Sequence, residues 1–182
     1  MESSYAFACD AFRADTVRAM HTLRGDPLFT AAQVIVGSVK TTEGIIREVT
    51  PEIKGLMKKF WPGMVSLNLR PQLGLSWDLG DNNQLDRVSV RIPRAKFAKA
   101  LVAQTGPLAI ASASRKGMAP ALAIDEIFVL DSDVALKFDN GKLRKGPIST
   151  VIEADETGVR VLREGAISLD EIQKIVPGAT SA

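Results

Sequence analysis

The stretch from Gly106 to Ala121, GPLAIASASRKGMAPA, contains the pattern that decides the fold. An apolar run from Leu108 to Ala111 follows Gly106-Pro107, which predicts a buried strand that begins after a turn. The strand ends in two serines, two cations and a glycine, with nothing bulky among them. Small residues let phosphate oxygens approach the backbone, and hydroxyls can donate hydrogen bonds to them. The exit of this strand is therefore a candidate anion site, although such hydroxyls also serve to satisfy local amides.

On either side of this strand, the predicted elements show a clear order. Strands alternate with helices in the first two thirds of the chain, and several strands follow one another in the last third. Asp15 is predicted to cap a helix that Gly25 ends, and Thr50 with Pro51 begins a second helix. Ser168 and Glu171 form a capping box for the last helix. The order predicts a single mixed α/β sheet with helices on its faces. Further helices are expected at 95–104 and 124–128, and strands at 4–9, 33–36, 64–70, 88–93, 135–138, 148–153 and 159–163.

Composition limits the classes of protein. The chain has 182 residues, 46% of them apolar and 24% charged, which suits one folded domain. No apolar run approaches the roughly 18 residues of a spanning helix and no signal peptide is evident, so we expect a soluble cytoplasmic protein. Cys9 is the only cysteine and His21 the only histidine, so an internal disulfide, a catalytic triad or a multi-histidine metal site is hard to build.

Two more regions share the character of this strand exit, Ser112 to Gly117, which we call the serine turn. LRGDP (23–27) and the pair KGPIST (145–150) with VLREGAIS (161–168) place cations, small residues and hydroxyls at the ends of apolar elements. Ligands of α/β sheets collect where strands end, so the three regions fit a pocket for a phosphorylated ligand. Two other interpretations remain open: Arg24 can serve the dipole of its helix, and Ser149 and Thr150 can be ordinary strand residues. The phosphate-loop and dinucleotide fingerprints are both absent.

Taken in order, these segments resemble the YrdC family of threonylcarbamoyl-AMP synthases. The resemblance implies one YrdC-like domain over residues 1–182, a twisted mixed sheet around a large concave cavity, without the helix and strand that family members carry ahead of this point. It also implies ATP, L-threonine and bicarbonate as substrates, Mg²⁺ with the ATP, and a product used for the t6A modification of tRNA. The matching segments are SYAFACDAF, LRGDP, FWPGMVSLNL, VSVRIP, GPLAIASASRKGMAP, GPISTVIEAD and VLREGAIS.

The resemblance also assigns residues, with two departures. The family's K-x-R reads Arg24-Gly25-Asp26, so a carboxylate stands where a cation should meet phosphate, which is unfavourable unless the side chain turns away or a metal bridges it. The family's S-x-N reads Ser112-Ala113-Ser114. Met1, Glu2 and Ser3 stand in for the threonine, aspartate and threonine of a P-T-D-T segment. The implied ATP ligands are Arg24, Arg87, Ser112, Ser114, Pro120 and Arg163, and the implied threonine ligands are Ser3, Arg91 and Ser149.

Two functions follow from these observations. The first is the synthase. The second is a catalytically weakened paralogue that binds a nucleotide or double-stranded RNA, with the cluster Lys142, Arg144 and Lys145 as its contact to phosphates. Other proteins of the t6A pathway are further candidate partners, and no membrane is expected. Asp26→Arg with Ser114→Asn should separate the two hypotheses, because a gain in turnover would favour the synthase.

Overall fold

Eight strands form one mixed sheet in the computed structural model, which describes residues 1–182. Their order across the sheet is β1-β5-β2-β4-β3-β6-β7-β8. The β2–β4, β3–β6 and β7–β8 pairs are parallel and the other four are antiparallel, so the predicted mixed α/β sheet is confirmed. The strands are β1 (Ala6–Asp10), β2 (Gln33–Ile35), β3 (Val65–Leu69), β4 (Val88–Arg91), β5 (Leu108–Ser112), β6 (Thr150–Asp155), β7 (Gly158–Arg163) and β8 (Thr180–Ser181).

Five helices accompany the sheet, and none of them is long and apolar enough to cross a membrane. The Thr50 hydroxyl accepts the Ile53 amide at the start of the third helix, as its cap pattern predicts. Ser168 and Glu171 form the predicted capping box of the last helix. The helices are α1 (Ala14–Arg24), α2 (Val39–Ile45), α3 (Pro51–Phe60), α4 (Lys96–Thr105) and α5 (Leu169–Gln173).

Two local predictions are wrong, and one helix was not predicted. Asp15 does not cap α1, because the helix begins at Ala14 and Asp15 lies in its first turn, where Arg13 binds the Asp15 carboxylate. No strand forms at 135–138: Phe138 packs on Phe97 instead, with ring centroids 4.9 Å apart, and lies in a mostly irregular segment between β5 and β6. Helix α2 was not predicted, since its sequence VKTTEGI has few strong helix formers, but Ser38 caps it.

The sheet has an apolar face and a polar face. The apolar face packs against α1, α3 and α5 through a core of 28 buried residues. Strand alternation puts the intervening side chains on the opposite surface, which we call the polar face. Helix α4 covers part of it, where Val102 packs on Ile35, Leu108 and Ile110. The register assigns to the polar face Gln33, Ser66, Asn68, Ser89, Arg91, Ser112 and Glu153. Ser149, which directly precedes β6, joins them through its hydrogen bond with Ser66.

Candidate functional site

A row of hydrogen bonds crosses the polar face from β2 to β7. The Gln33 amide donates to the hydroxyls of Ser66 (2.6 Å) and Ser89 (3.3 Å), and the Ser66 hydroxyl donates to that of Ser149 (3.3 Å). Arg163 donates to the Ser149 carbonyl at 2.9 Å and to its hydroxyl at 3.3 Å. The structure thus brings together the predicted residues Ser149 and Arg163. Sequence reasoning missed both Gln33 and Ser66, and Ser66 is fully buried.

Arg24 lies at the other end of the polar face, beside the serine turn. Its Nε and Nη2 donate to the two carboxylate oxygens of Asp26, at 2.8 and 3.1 Å. Its Nη1 donates to the carbonyl of Ser114 at 2.7 Å and to that of Ser112. The Arg24 side chain is only 11% exposed, so its guanidinium is committed to acceptors within the protein.

Asp26 lies inside the protein rather than in a ligand's path. Its side chain is 2% exposed and is bound by Arg24 and by Nδ1 of His21 at 2.8 Å. Burial by itself would raise the pKa of this carboxyl, but the hydrogen bonds from Arg24 and His21 outweigh it and lower the pKa. The Asp26 carboxylate therefore turns into the protein. This is one of the two arrangements, a turned side chain or a bridging metal, that make a carboxylate acceptable at this position of the K-x-R pattern.

The serine turn is held by its own hydroxyls and by Arg24. The Ser112 and Ser114 hydroxyls are 2.9 Å apart and bonded to each other. The Lys116 amide donates to the Arg24 carbonyl at 3.0 Å. The Arg115 guanidinium lies over the Phe128 ring at 5.0 Å, which gives it a cation–π contact. The predicted neighbours Arg24, Ser112 and Ser114 are thus in direct contact.

Arg91 is buried at the end of β4 and is paired with Glu2. Its Nη2 is 2.5 Å from the Glu2 carboxylate, and its Nε donates to the Gly63 carbonyl at 2.7 Å. Glu2 also accepts the backbone amides of Arg94 (2.6 Å) and Ala95 (3.3 Å). Burial would raise the pKa of Glu2, but the Arg91 charge and the hydrogen bond from the Arg94 amide lower it. Sequence reasoning gave Glu2 no role, although its alignment with the aspartate of P-T-D-T was a signal.

Arg87 lies apart from the other predicted residues. It donates to Asp155 at 2.7 Å, beside a cavity of about 400 Å³ that no other predicted site residue lines. Hydrogen bonds from Thr157 and Arg87 lower the pKa of Asp155. The cavity is also lined by Arg70, Glu153, Asp155, Thr157, Gly158, Val159, Arg160, Gly178 and Thr180.

The remaining predicted residues lie on or near the irregular segment between β5 and β6. The Ser3 hydroxyl donates to the Pro147 carbonyl at 3.3 Å, near the start of β6. Pro120 is exposed, as is the basic cluster of Lys142, Arg144 and Lys145. No group of three or more His, Cys, Asp or Glu side chains is arranged to hold a metal ion.

Comparisons with known proteins identify similar chains. The model of a family described as Sua5, YciO and YrdC, telomere recombination, matches residues 1–165. A Mycobacterium tuberculosis protein, provisionally named a threonylcarbamoyl-AMP synthase, is 30% identical over 176 residues, which are 96% of this chain and 80% of the relative. The threonylcarbamoyl-AMP synthase of Bacillus subtilis is 28% identical over 96% of this chain and 51% of its own length.

Solved structures agree with this likeness. Pyrococcus abyssi Sua5 in complex with L-threonine superposes with a TM-score of 0.88 at 26% identity, over 100% of this chain and 53% of that one. Escherichia coli YciO superposes with a TM-score of 0.75 at 19% identity, over 94% of this chain and 83% of that one, and shows the fold alone. The chain therefore spans about half the length of the Pyrococcus and Bacillus relatives.

Proposed function

This chain belongs to the Sua5, YciO and YrdC family, and from that premise we propose that it makes threonylcarbamoyl-AMP from ATP, L-threonine and bicarbonate. The observation that carries the proposal is the polar face, on which Arg91 and Ser112 lie by strand register and Ser149 lies by its hydrogen bond with Ser66. Arg24 and Arg163 lie at its two ends. Residues 1–182 act as one domain in this proposal, and the product serves the t6A modification of tRNA.

The chemistry suits these residues because it needs no protein nucleophile. The threonine amine attacks the carbon of bicarbonate, and water leaves to give a carbamate. A carbamate oxygen then forms a bond to the α-phosphorus of ATP while the bond to the β-phosphate oxygen breaks, and pyrophosphate leaves. Negative charge grows on the leaving pyrophosphate, so a cation near it lowers the barrier. Arg163 is suited to this role because its protein partners, the carbonyl and hydroxyl of Ser149, are uncharged.

The other roles follow the resemblance. Ser149, Ser3 and Arg91 bind threonine, with Ser149 held in place by Ser66. The Ser112–Ser114 turn, Arg24 and Pro120 border the ATP site, and Arg87 is assigned to it by the resemblance alone. Any Mg²⁺ would enter with the triphosphate of ATP as part of the substrate, since the protein offers no cluster of acidic and histidine ligands.

The test is pyrophosphate release by the purified chain. We expect release that requires ATP, threonine and bicarbonate together, and a product with the mass of threonylcarbamoyl-AMP. Arg13→Gln is a matched control, because Arg13 is exposed just before α1 and pairs only with its neighbour Asp15. Release that does not depend on threonine and bicarbonate, or no release, would overturn the proposal.

One observation favours the second function. The charge of Arg24 is compensated by Asp26, whereas Lys142, Arg144 and Lys145 are exposed. A weakened paralogue that binds double-stranded RNA would use the second group rather than the first. Its affinity should then fall steeply with salt, and neutralising each of the three cations should reduce that slope by about one. Binding to a 20-base-pair RNA that is insensitive to salt would contradict this function.

A further inference from the structure

The only histidine of the chain lies between two hydrogen-bond acceptors. Nδ1 of His21 is 2.8 Å from a carboxylate oxygen of Asp26, and Nε2 is 2.9 Å from the Leu79 carbonyl. The residue is 9% exposed. A Cβ on Gly80 would lie 2.5 Å from the ring, so the loop that follows Trp77 packs closely against it. The ring therefore connects α1, the turn after α1 and this loop.

This geometry requires a doubly protonated ring. A carbonyl oxygen has no proton to give, and Asp26 is ionised because its pKa is lowered. A neutral imidazole has one N–H, so it could satisfy only one of the two acceptors. Only the imidazolium donates from both nitrogens at once.

The contacts continue from His21 to the serine turn. Asp26 accepts hydrogen bonds from both His21 and Arg24, and Arg24 donates to the carbonyls of Ser112 and Ser114. The two departures from the family pattern, Asp26 and Ser114, are thus members of one connected cluster. Residues of such a network couple to one another, so a change at one end is felt at the other.

We propose that His21 and Asp26 are positioning residues that fix the Ser112–Ser114 turn through Arg24. That this turn binds ATP rests on the proposed function, whereas the positioning role rests on the contacts alone. The K-x-R pattern has an arginine where this chain has Asp26, so a chain with that pattern could not form this cluster.

Asp26 is the carboxylate that binds the ring. The other charged groups on these elements are Arg18 and Arg24 on α1, and Asp78 and Asp81 on the loop that bears Leu79. Arg18 binds Asp78 at 2.6 Å, so these two groups are paired with each other. Substituting either His21 or Asp26 removes a link between the ring and Arg24, so the turn loses support.

The direct experiment is NMR of the whole chain labelled with ¹⁵N. Because His21 is the only histidine, its two ring nitrogens give unambiguous signals. We expect both nitrogens to carry a proton in the folded chain, because both face acceptors. In Asp26→Asn, we expect the backbone amide signals of Ser114 and Lys116 to shift relative to the unaltered chain.

Kinetics provide the second measurement. The KM for ATP should rise about tenfold in Asp26→Asn, with a smaller change in kcat, because the turn binds but does not react. His21→Gln should raise the KM for ATP in the same way, and Arg13→Gln should leave it unchanged. A merely structural role for His21 would lower the folded fraction, and with it kcat, without this selective rise in KM.

The two proposals can fail separately. If the unaltered chain releases no pyrophosphate, the proposed function fails, and the NMR comparison still decides the positioning role. A ring that carries one proton in the folded chain, or Ser114 and Lys116 amides that do not shift in Asp26→Asn, would overturn the positioning role. In an active chain, an unchanged KM for ATP in both Asp26→Asn and His21→Gln would overturn it as well.

Discussion

The two ends of the polar face place an arginine in opposite electrostatic settings. Arg24 is 11% exposed, is held by both oxygens of the Asp26 carboxylate and donates to two carbonyls. Arg163 is exposed and meets the carbonyl and hydroxyl of Ser149, which carry no charge. The same residue type therefore offers a ligand little net charge at one end and a full positive charge at the other. A motif match predicts where a cation lies, but its neighbours decide how much of its charge a ligand meets.

The strongest way to break this comparison is Asp26→Arg. The substitution restores the family's K-x-R pattern, but it puts a second guanidinium in a site that is 2% exposed and already contains Arg24 and His21. We expect the free energy of unfolding to fall by about 3 kcal/mol or more, because the buried charges lose their counter-ion. Denaturant unfolding measures this. A stable Asp26→Arg variant with increased turnover would instead mean that Asp26 has no structural role. The substitution would then simply restore the family's cation at this position.

Arg163→Gln tests the other end. Arg163 is exposed, so we expect little change in stability, and we expect kcat/KM for ATP to fall about 100-fold because a cation near the growing charge is removed. Pyrophosphate release at several ATP concentrations measures the loss. Arg160→Gln is a suitable control, since Arg160 is an exposed arginine of the same strand that pairs with Glu153. Equal losses in both variants would contradict the special position of Arg163.

Gly80→Ala sharpens the comparison by displacing His21 without changing any charge. The added Cβ would lie 2.5 Å from the His21 ring and 2.6 Å from the Thr30 carbonyl, at a φ of +105°. We expect a loss of about 2 kcal/mol in the free energy of unfolding. Gly74→Ala is the matched control, because its φ is +82° but nothing lies within 4 Å of the new Cβ, so only backbone strain of about 1 kcal/mol remains. Similar costs at both positions would mean that the His21 contact is not tight.

The smallest expected effect is in the acid dependence of stability. The folded pKa of Asp26 is lowered from its ordinary value of 3.8, so the carboxylate binds fewer protons in the folded state than in the unfolded state. Its contribution to stability is therefore present above about pH 4 and is lost as the pH falls through the lowered value. The difference in stability between the unaltered chain and Asp26→Asn should shrink from pH 5 to pH 2. A difference that stays constant over this range would contradict the ion pair.

The sequence predicts most of the fold because helix caps and strand alternation are local signals. Thr50 and Ser168 mark helix starts, and the run that begins at Leu108 is β5. The prediction of a strand at 135–138 fails because an apolar alternation does not reveal whether a partner strand is available, and Phe138 packs on Phe97 instead. Helix α2 is missed because its stability comes from packing rather than from propensity.

The candidate site is less predictable, for a different reason. Its members are recognised by residue type, but their state depends on contacts between distant parts of the chain. His21 reaches Leu79, Arg24 reaches Ser114, and Arg91 pairs with Glu2. No local pattern encodes such contacts. Sequence reasoning therefore identified Arg24 as a cation and Asp26 as an anomaly, and only the structure shows that they are bonded to each other.

The strand order has a consequence for how the protein emerges from the ribosome. Strand β1 is the first to be made, yet it pairs with β5, with Ala6 opposite Ser112. Consecutive strands pair only at β3–β4, β6–β7 and β7–β8, and all three of these pairs lie after β2 in the chain. A nascent chain must therefore keep β1 unpaired until more than half of the protein has been translated, because long-range pairings form slowly and only once both strands exist. Synthesis itself, rather than the final packing, is when this chain is most exposed to wrong partners.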